Sequence, residues 1–333
     1  MSKFAEILMI IGLIAFPIFV SAFYESPASD LSAVVDPSYA AADQSVSISL
    51  VSYLLGLDAC KITWTKDGQT VSEGIGQKGF RFNMPPLGKR STVAANVSCP
   101  TGRETLKQFI FQSNDVDLLA VADTYVPPFY KGSSRPSEGS GFKVSAFPLT
   151  FDAVGRPENA DNLIYKWKLN GRLLSANSGY GKKTLNAKLS GPAALVTVEV
   201  SSLSGELKAV GSISLNAALP EVLIYKDKAL LGPEYRKALV ASADFSETEA
   251  SLIAEPFFFD NKAVSSGTLS INWQMNGKAI PSAINNRILV LRQNSTNSGE
   301  ATIGTKIKDQ NGSAEAEREI KVKFGTNRSL FGL

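Results

Sequence analysis

The chain contains three tryptophans, and each stands in the same short phrase. The phrases are Ile62-Thr63-Trp64-Thr65-Lys66-Asp67-Gly68, Tyr165-Lys166-Trp167-Lys168-Leu169-Asn170-Gly171 and Ile271-Asn272-Trp273-Gln274-Met275-Asn276-Gly277. The tryptophans lie 103 and then 106 residues apart. In an extended strand alternate residues share a side, so Ile62 and Trp64 point together into a core. Asp-Gly or Asn-Gly then supplies the positive φ angles of a two-residue hairpin turn, with Gly68, Gly171 and Gly277 at its second position. A phrase that returns in register marks a repeated structural unit.

A second mark keeps the same register. Turn glycines Gly102, Gly205 and Gly312 follow the tryptophans by 38, 38 and 39 residues. Strand-like runs flank each turn: Ser91–Cys99 and 104–111, Ala194–Ser202 and 206–215, Gly299–Ile307 and 314–324. One more such run precedes each tryptophan, over 45–53, 142–151 and 250–259, and no sustained helical period follows the N-terminal segment. About one hundred residues per unit, roughly seven short strands and a buried tryptophan on a central strand describe an immunoglobulin-like sandwich. The chain is therefore expected to be all-β, with three tandem Ig-like sandwich domains over 23–116, 117–218 and 219–324 and a tail over 325–333. The Trp-x-x-[Asp/Asn]-Gly strands resemble those of bacterial extracellular PKD-type and Ig-like repeat proteins, and more narrowly three-unit secreted proteins of candidate-phylum bacteria. The resemblance implies extracellular scaffolding or adhesion and transfers no catalytic residue.

Residues 1–22 have the form of an export signal or an N-terminal anchor. Lys3 precedes the apolar run Ile7 to Val20, and Val20-Ser21-Ala22 offers small residues for a signal peptidase. If the segment is cleaved the chain is secreted or held at the surface; if it is kept, it is the one contact with a membrane. Export also makes oxidation feasible. Cys60 precedes the first tryptophan strand and Cys99 ends the strand before the second turn. In an Ig-like sheet these strands are antiparallel neighbours, which pairs the two cysteines in a disulfide worth about 4 kcal/mol by loop closure.

Several chemistries are disfavoured. There is no histidine, the usual general base and metal ligand, and two cysteines cannot build a Cys/His zinc site. Net charge is +3, and the three units carry 8 basic against 9 acidic, 11 against 8, and 14 against 13 side chains. That is no footprint for a nucleic acid. The spacing Gly74-x-Gly76-x-x-Gly79 matches a dinucleotide-binding turn, but it lies between strands with no helix to receive a pyrophosphate. It is expected to be a flexible hairpin connection. Gly181-Lys182-Lys183-Thr184 likewise lacks the early glycine of a phosphate loop. Carboxylates are scattered; the nearest thing to a calcium cluster is Asp115, Asp117 and Asp123 at the first junction. No catalytic residue, cofactor or metal is expected.

The most informative phrases outside the core open the second and third units. Pro128-Phe129-Tyr130-Lys131 and Pro233-Glu234-Tyr235-Arg236 share Pro-x-Tyr-[Lys/Arg], 39 and 40 residues before their tryptophans. The first unit has no such phrase. Tyr130 and Tyr235 are therefore expected to pack against the preceding domain as staples, each phenol with a partner; the alternative is an aromatic recognition surface. The function expected is a non-enzymatic structural or adhesive surface protein, with a surface protein or glycan as partner. The alternative is a carbohydrate- or peptide-binding module.

Overall fold

The computed structural model describes residues 31–325 except 153, 206, 207, 229, 285, 294–298, 311 and 313. The export segment 1–22 and residues 326–333 of the tail lie outside the described residues. Each run of alternating apolar residues forms a strand with its apolar side inward. The first sandwich holds β1 (Ser32–Asp36), β2 (Ser45–Val51), β3 (Lys61–Lys66), β4 (Gln69–Ile75), β5 (Gly79–Asn83), β6 (Arg90–Ser98) and β7 (Glu104–Gln112). Its sheets run β1-β2-β5 and β4-β3-β6-β7. The second holds β8 (Asp115–Asp123), β9 (Gly141–Leu149), β10 (Ile164–Leu169), β11 (Arg172–Leu173), β12 (Gly179–Tyr180), β13 (Thr184–Lys188), β14 (Ala193–Ser201) and β15 (Lys208–Asn216). They form the sheets β13-β9-β8 and β11-β10-β14-β15, with β12 beside β10.

The third sandwich begins with β16 (Glu221–Lys228), β17 (Gly232–Pro233), β18 (Ser242–Phe245) and β19 (Glu249–Phe257), followed by the short helix α1 (Asn261–Ser265). It continues with β20 (Ser270–Met275), β21 (Lys278–Ala279), β22 (Ile288–Arg292), β23 (Gly299–Lys308) and β24 (Glu315–Phe324). Its sheets are β17-β16-β19-β22 and β18-β24-β23-β20-β21, with β18 parallel to β24. Each pair of sheets closes on its own apolar cluster, built around Trp64, Trp167 or Trp273. This is a multi-domain β-sandwich protein. One boundary shifts: the expected break at 116/117 falls inside β8. Asp115 already pairs with Leu149, and Val116 is part of the second core.

The tryptophan strands β3, β10 and β20 lie inside their sheets, and the three indoles are 0%, 0% and 1% exposed. Burial leaves each indole N–H in need of an acceptor. Trp64 Nε1 donates to Gln77 O (3.0 Å), Trp167 Nε1 to Lys182 O (2.9 Å) and Trp273 Nε1 to Asn286 O (2.8 Å). In the first two units the residue just before that carbonyl is a glycine with positive φ, Gly76 (+70°) or Gly181 (+68°). The run Gly74–Gly79 is therefore not a flexible connection. Gly76 N–H is tied to Cys60 O at 3.0 Å, and a side chain there would meet Asp58 O at 3.0 Å. The segment carries the chain from β4 to β5 in the facing sheet and presents a carbonyl to the indole on the way.

The hairpin turns have positive φ at both central residues: 50° and 81° at Asp67-Gly68, 50° and 79° at Asn170-Gly171, 48° and 76° at Asn276-Gly277. The acidic or amide side chain has a second task. Asp67 Oδ1 accepts from Thr92 N–H, Asn170 Oδ1 from Leu195 N–H and Asn276 Oδ1 from Thr302 N–H, each at 2.8 Å. The turn thus fastens the start of the neighbouring strand β6, β14 or β23. Gly102, Gly205 and Gly312 also have positive φ, and their N–H groups bond to Cys99 O, Ser202 O and Asp309 O. Cys60 and Cys99 form a disulfide, one step beyond the Lys61–Ser98 pair of β3 and β6.

Trp167→Ala is expected to cost about 3–5 kcal/mol of the second sandwich's stability in chemical denaturation; an unchanged midpoint would contradict the packing. In the same experiment, reduction of the disulfide is expected to weaken the unfolding step of the first sandwich by about 2–4 kcal/mol and leave the other steps in place.

Candidate functional site

The aromatic phrases meet at one place, the junction of the second and third sandwiches. The chain leaves β8 at Thr124 and crosses to the third sandwich. Tyr125 N–H bonds to Phe259 O at 2.7 Å, and Phe258 N–H bonds back to Tyr125 O at 2.8 Å. Thr124 and Asp260 form an antiparallel bridge. Phe258 has φ +61°, a conformation that costs an aromatic residue about 1–3 kcal/mol unless its surroundings impose it. Here the paired bonds to Tyr125 impose it. The return path runs past β8, with Ser134 Oγ on Ala122 O (3.0 Å) and Thr124 Oγ1 on Arg135 O (2.8 Å). Ala218 N–H then bonds to Pro136 O at 2.7 Å.

Between these anchors Val126, Phe129 and Tyr130 lie over the outer face of the third sandwich, while Pro128 is exposed. Phe129 stacks on Tyr235 with centroids 3.9 Å apart and planes 20° apart, and it meets the edge of Tyr225 at 5.5 Å. Tyr130 stands edge-on to Phe257 (5.6 Å) and Phe258 (6.1 Å). Gly132 makes this fold-back possible, because a side chain there would lie 2.6 Å from the Tyr130 ring. Pro233, in the short edge strand β17, positions Tyr235. Tyr235 thus meets Phe129 of the preceding sandwich. Tyr130 corrects the expectation: it packs on the following sandwich, and its phenol has no hydrogen-bond partner among the described residues. The reason is chain direction, since the loop after β8 swings forward across the junction.

Glu255 sits beneath this layer, 2% exposed. It accepts from Tyr235 Oη at 2.9 Å and forms an ion pair with Arg287, whose Nε also donates to Ala254 O at 3.2 Å. The Arg287 guanidinium lies 5.8 Å from the Tyr125 ring centre. Burial holds the Glu255 carboxyl above the usual carboxylate range, outweighing Arg287 and the phenols of Tyr235 and Tyr125, which pull it down. Burial, with Glu255 beside it, pushes the Tyr235 phenol up to about 12, so it remains a donor at any physiological pH. Glu255 and Arg287 are outside every sequence motif; only a charged residue in the apolar run 250–259 hinted at them.

The first junction is of a different kind. Gln112 Nε2 donates to Asp152 O (2.8 Å), and Asn114 Oδ1 accepts from Phe151 N–H (3.0 Å). A cleft of about 840 Å³ opens beside it, lined in part by Tyr39, Met84, Arg90, Phe109, Phe111 and Lys208. A second cleft of about 580 Å³ at the other junction has Asp123, Lys188, Asp260, Lys262 and Asp309 among its lining residues. Asp115 and Asp117 stand exposed on β8, and Asp115 Oδ1 accepts from Val116 N–H. Among the described residues no three His, Cys, Asp or Glu side chains converge on a metal position.

No family model matches the chain, and no curated protein matches it. Among solved structures it is similar to the three N-terminal domains of the bacteriophage RB49 Highly Immunogenic Outer Capsid protein, at 13% identity over 90% of this chain and 99% of that one, with TM-score 0.26. Sidekick-1 immunoglobulin domains 1–5 align at 9% identity over 88% and 59%, with TM-score 0.28. A bacterial ice-binding adhesin of 1.5 MDa aligns at 8% over 88% and 96%, with TM-score 0.23.

Because folding raises the Glu255 pKa, the folded chain holds that proton more tightly than the unfolded one. This group's contribution to stability therefore falls as pH rises from the ordinary glutamate range through the raised value. Glu255→Gln is expected to flatten that branch on the alkaline side of the ordinary glutamate range in urea unfolding; an unaltered slope would mean that Glu255 is solvated.

Proposed function

We propose that the chain is a non-enzymatic structural and adhesive protein, exported to the cell surface or beyond, whose Ig-like units resemble extracellular PKD-type repeats. The observation that carries this reading is the second junction. Two backbone hydrogen bonds of Tyr125, the stacking of Phe129 on Tyr235 and the Tyr125 ring beside Arg287 join the second and third sandwiches. Domains strung for catalysis or loose capture need no such union, whereas a spacer that holds its ends apart depends on it.

A second reading, a carbohydrate- or peptide-binding module, rests on the 840 Å³ cleft with Tyr39, Phe109 and Phe111 along its wall. Phe129 and Tyr235 do not support it, because their faces cover each other. Small-angle scattering tests the spacer. The wild type is expected to scatter as a particle with one fixed arrangement of its second and third units. Phe129→Ala with Tyr235→Ala is expected to broaden the distance distribution, and a wild type already flexible would refute the spacer. Whole-cell and glycan-array binding separate the readings: cell binding without a glycan hit favours adhesion. A glycan or peptide hit abolished by Phe109→Ala favours the module.

A further inference from the structure

The outward faces of the sheets β1-β2-β5, β13-β9-β8 and β17-β16-β19-β22 are equivalent surfaces, and they differ in one telling way. In the third sandwich Glu221, Leu223 and Tyr225 pair with Phe257, Glu255 and Ile253. In the second, Asp115, Asp117 and Leu119 pair with Leu149, Phe147 and Ser145. Leu119, Phe147 and Leu149 thus occupy the rungs of Tyr225, Glu255 and Phe257. The latter three are 2–4% exposed beneath the Phe129–Tyr235 layer, whereas Leu119, Phe147 and Leu149 are 57%, 53% and 43% exposed, and Val121 beside them is 53%. The first sandwich turns Ser45, Ser47 and Ser49 outward and needs no cover. Among the described residues, the other two faces expose large apolar side chains only on an edge strand, Val34 on β1 and Ile288 and Val290 on β22. The second sandwich instead bares Leu119, Val121, Phe147 and Leu149 on its paired strands β8 and β9, because the loop that would shield them has crossed to the next unit.

Charge on this face identifies what it fits. Asp117 lies one rung to one side of the Leu119–Ser145 rung, and Lys143 lies one rung to the other, opposite Val121. The ion pairs of the second sandwich, Arg156–Asp152, Lys168–Glu199 and Lys183–Asp161, use neither. A two-fold axis through the Leu119–Ser145 rung, in the plane of the face and across the strands, exchanges these positions between two copies. Leu119 then meets Leu119. Lys143 of each copy lies over Phe147 of the other, next to its Asp117, combining an ion pair with a cation–π contact. Leu149 comes over Gly141, which has no side chain to obstruct it. The like charges Asp115 and Asp123 fall at the rim, where water and salt screen them.

We propose that the outer face of β13-β9-β8 is a self-association surface whose partner is a second copy of the chain. The interface is small, so a reversible dimer in roughly the 10–100 µM range is expected. The chain from Phe23 to Leu333, as it stands after cleavage of the export segment, can be tested by sedimentation velocity from about 1 to about 500 µM. Phe147→Ser is expected to weaken association roughly tenfold or more with no loss of folded signal, since the ring is exposed. Asp117→Lys should weaken it as well, and Asp117→Lys combined with Lys143→Asp should restore it to within about threefold, as charge exchange across a two-fold demands. A wild type that stays monomeric throughout overturns the proposal. So does a dimer indifferent to Phe147→Ser, or a double variant no tighter than Asp117→Lys alone.

Discussion

A buried indole has one polar atom, and leaving it without a partner inside a sandwich costs about 1–3 kcal/mol. Here each tryptophan N–H reaches a main-chain carbonyl on the connection that crosses to the facing sheet. That single bond links the central strand of one sheet to the entry of the other, so sheet spacing and loop path are set together. The Asp/Asn-Gly turn completes the constraint, because its side chain holds an N–H near the start of the adjacent strand while its backbone reverses the chain. Lose the indole, and the core, the crossing loop and the hairpin lose a common reference point.

Features that depend on local geometry were legible in the sequence. A tryptophan three residues before Asp/Asn-Gly declares a strand and a tight turn wherever it stands, and its return in register declares the repeat. Cys60 and Cys99 were legible for the same reason, since strand order within the repeat makes them neighbours. What could not be read depends on direction and on partners distant in the chain. Tyr130 and Tyr235 occupy equivalent places before their tryptophans, yet Tyr130 goes forward onto Phe257 and Phe258 while Tyr235 stays on its own unit and stacks on Phe129. Glu255 and Arg287 are 32 residues apart and belong to no motif. Gly76 was visible, but its use was not: the carbonyl that follows it serves an indole 13 residues earlier.

The two junctions show how one repeat can be joined stiffly or loosely. At the first, Gln112, Asn114 and the backbone near Asp152 exchange single hydrogen bonds, each worth about 1 kcal/mol and open to competition from water. At the second, rings cover rings, so separating the units would expose Phe129 and the faces of Tyr225, Tyr235 and Phe257 together. Such an interface opens as a whole or not at all. The strained Phe258 has the same logic, since Tyr125 holds its N–H and the carbonyl of the following Phe259.

Placing the aromatic loop on the third unit has a consequence for the second. A sheet face in a sandwich is finished by polar residues, by a covering segment or by another molecule, and the three units differ in which of these the central strands receive. Serines finish the first face. Phe129, Tyr130 and Tyr235 finish the third. The second has apolar side chains at the rungs where the third has its covered ones, and its own loop is committed elsewhere. Cores in the three units are near-copies because the Trp-turn constraint leaves them little choice, whereas the outer faces are free to diverge. It is on those faces and at the junctions, outside every repeated phrase, that the chain's individual behaviour is decided.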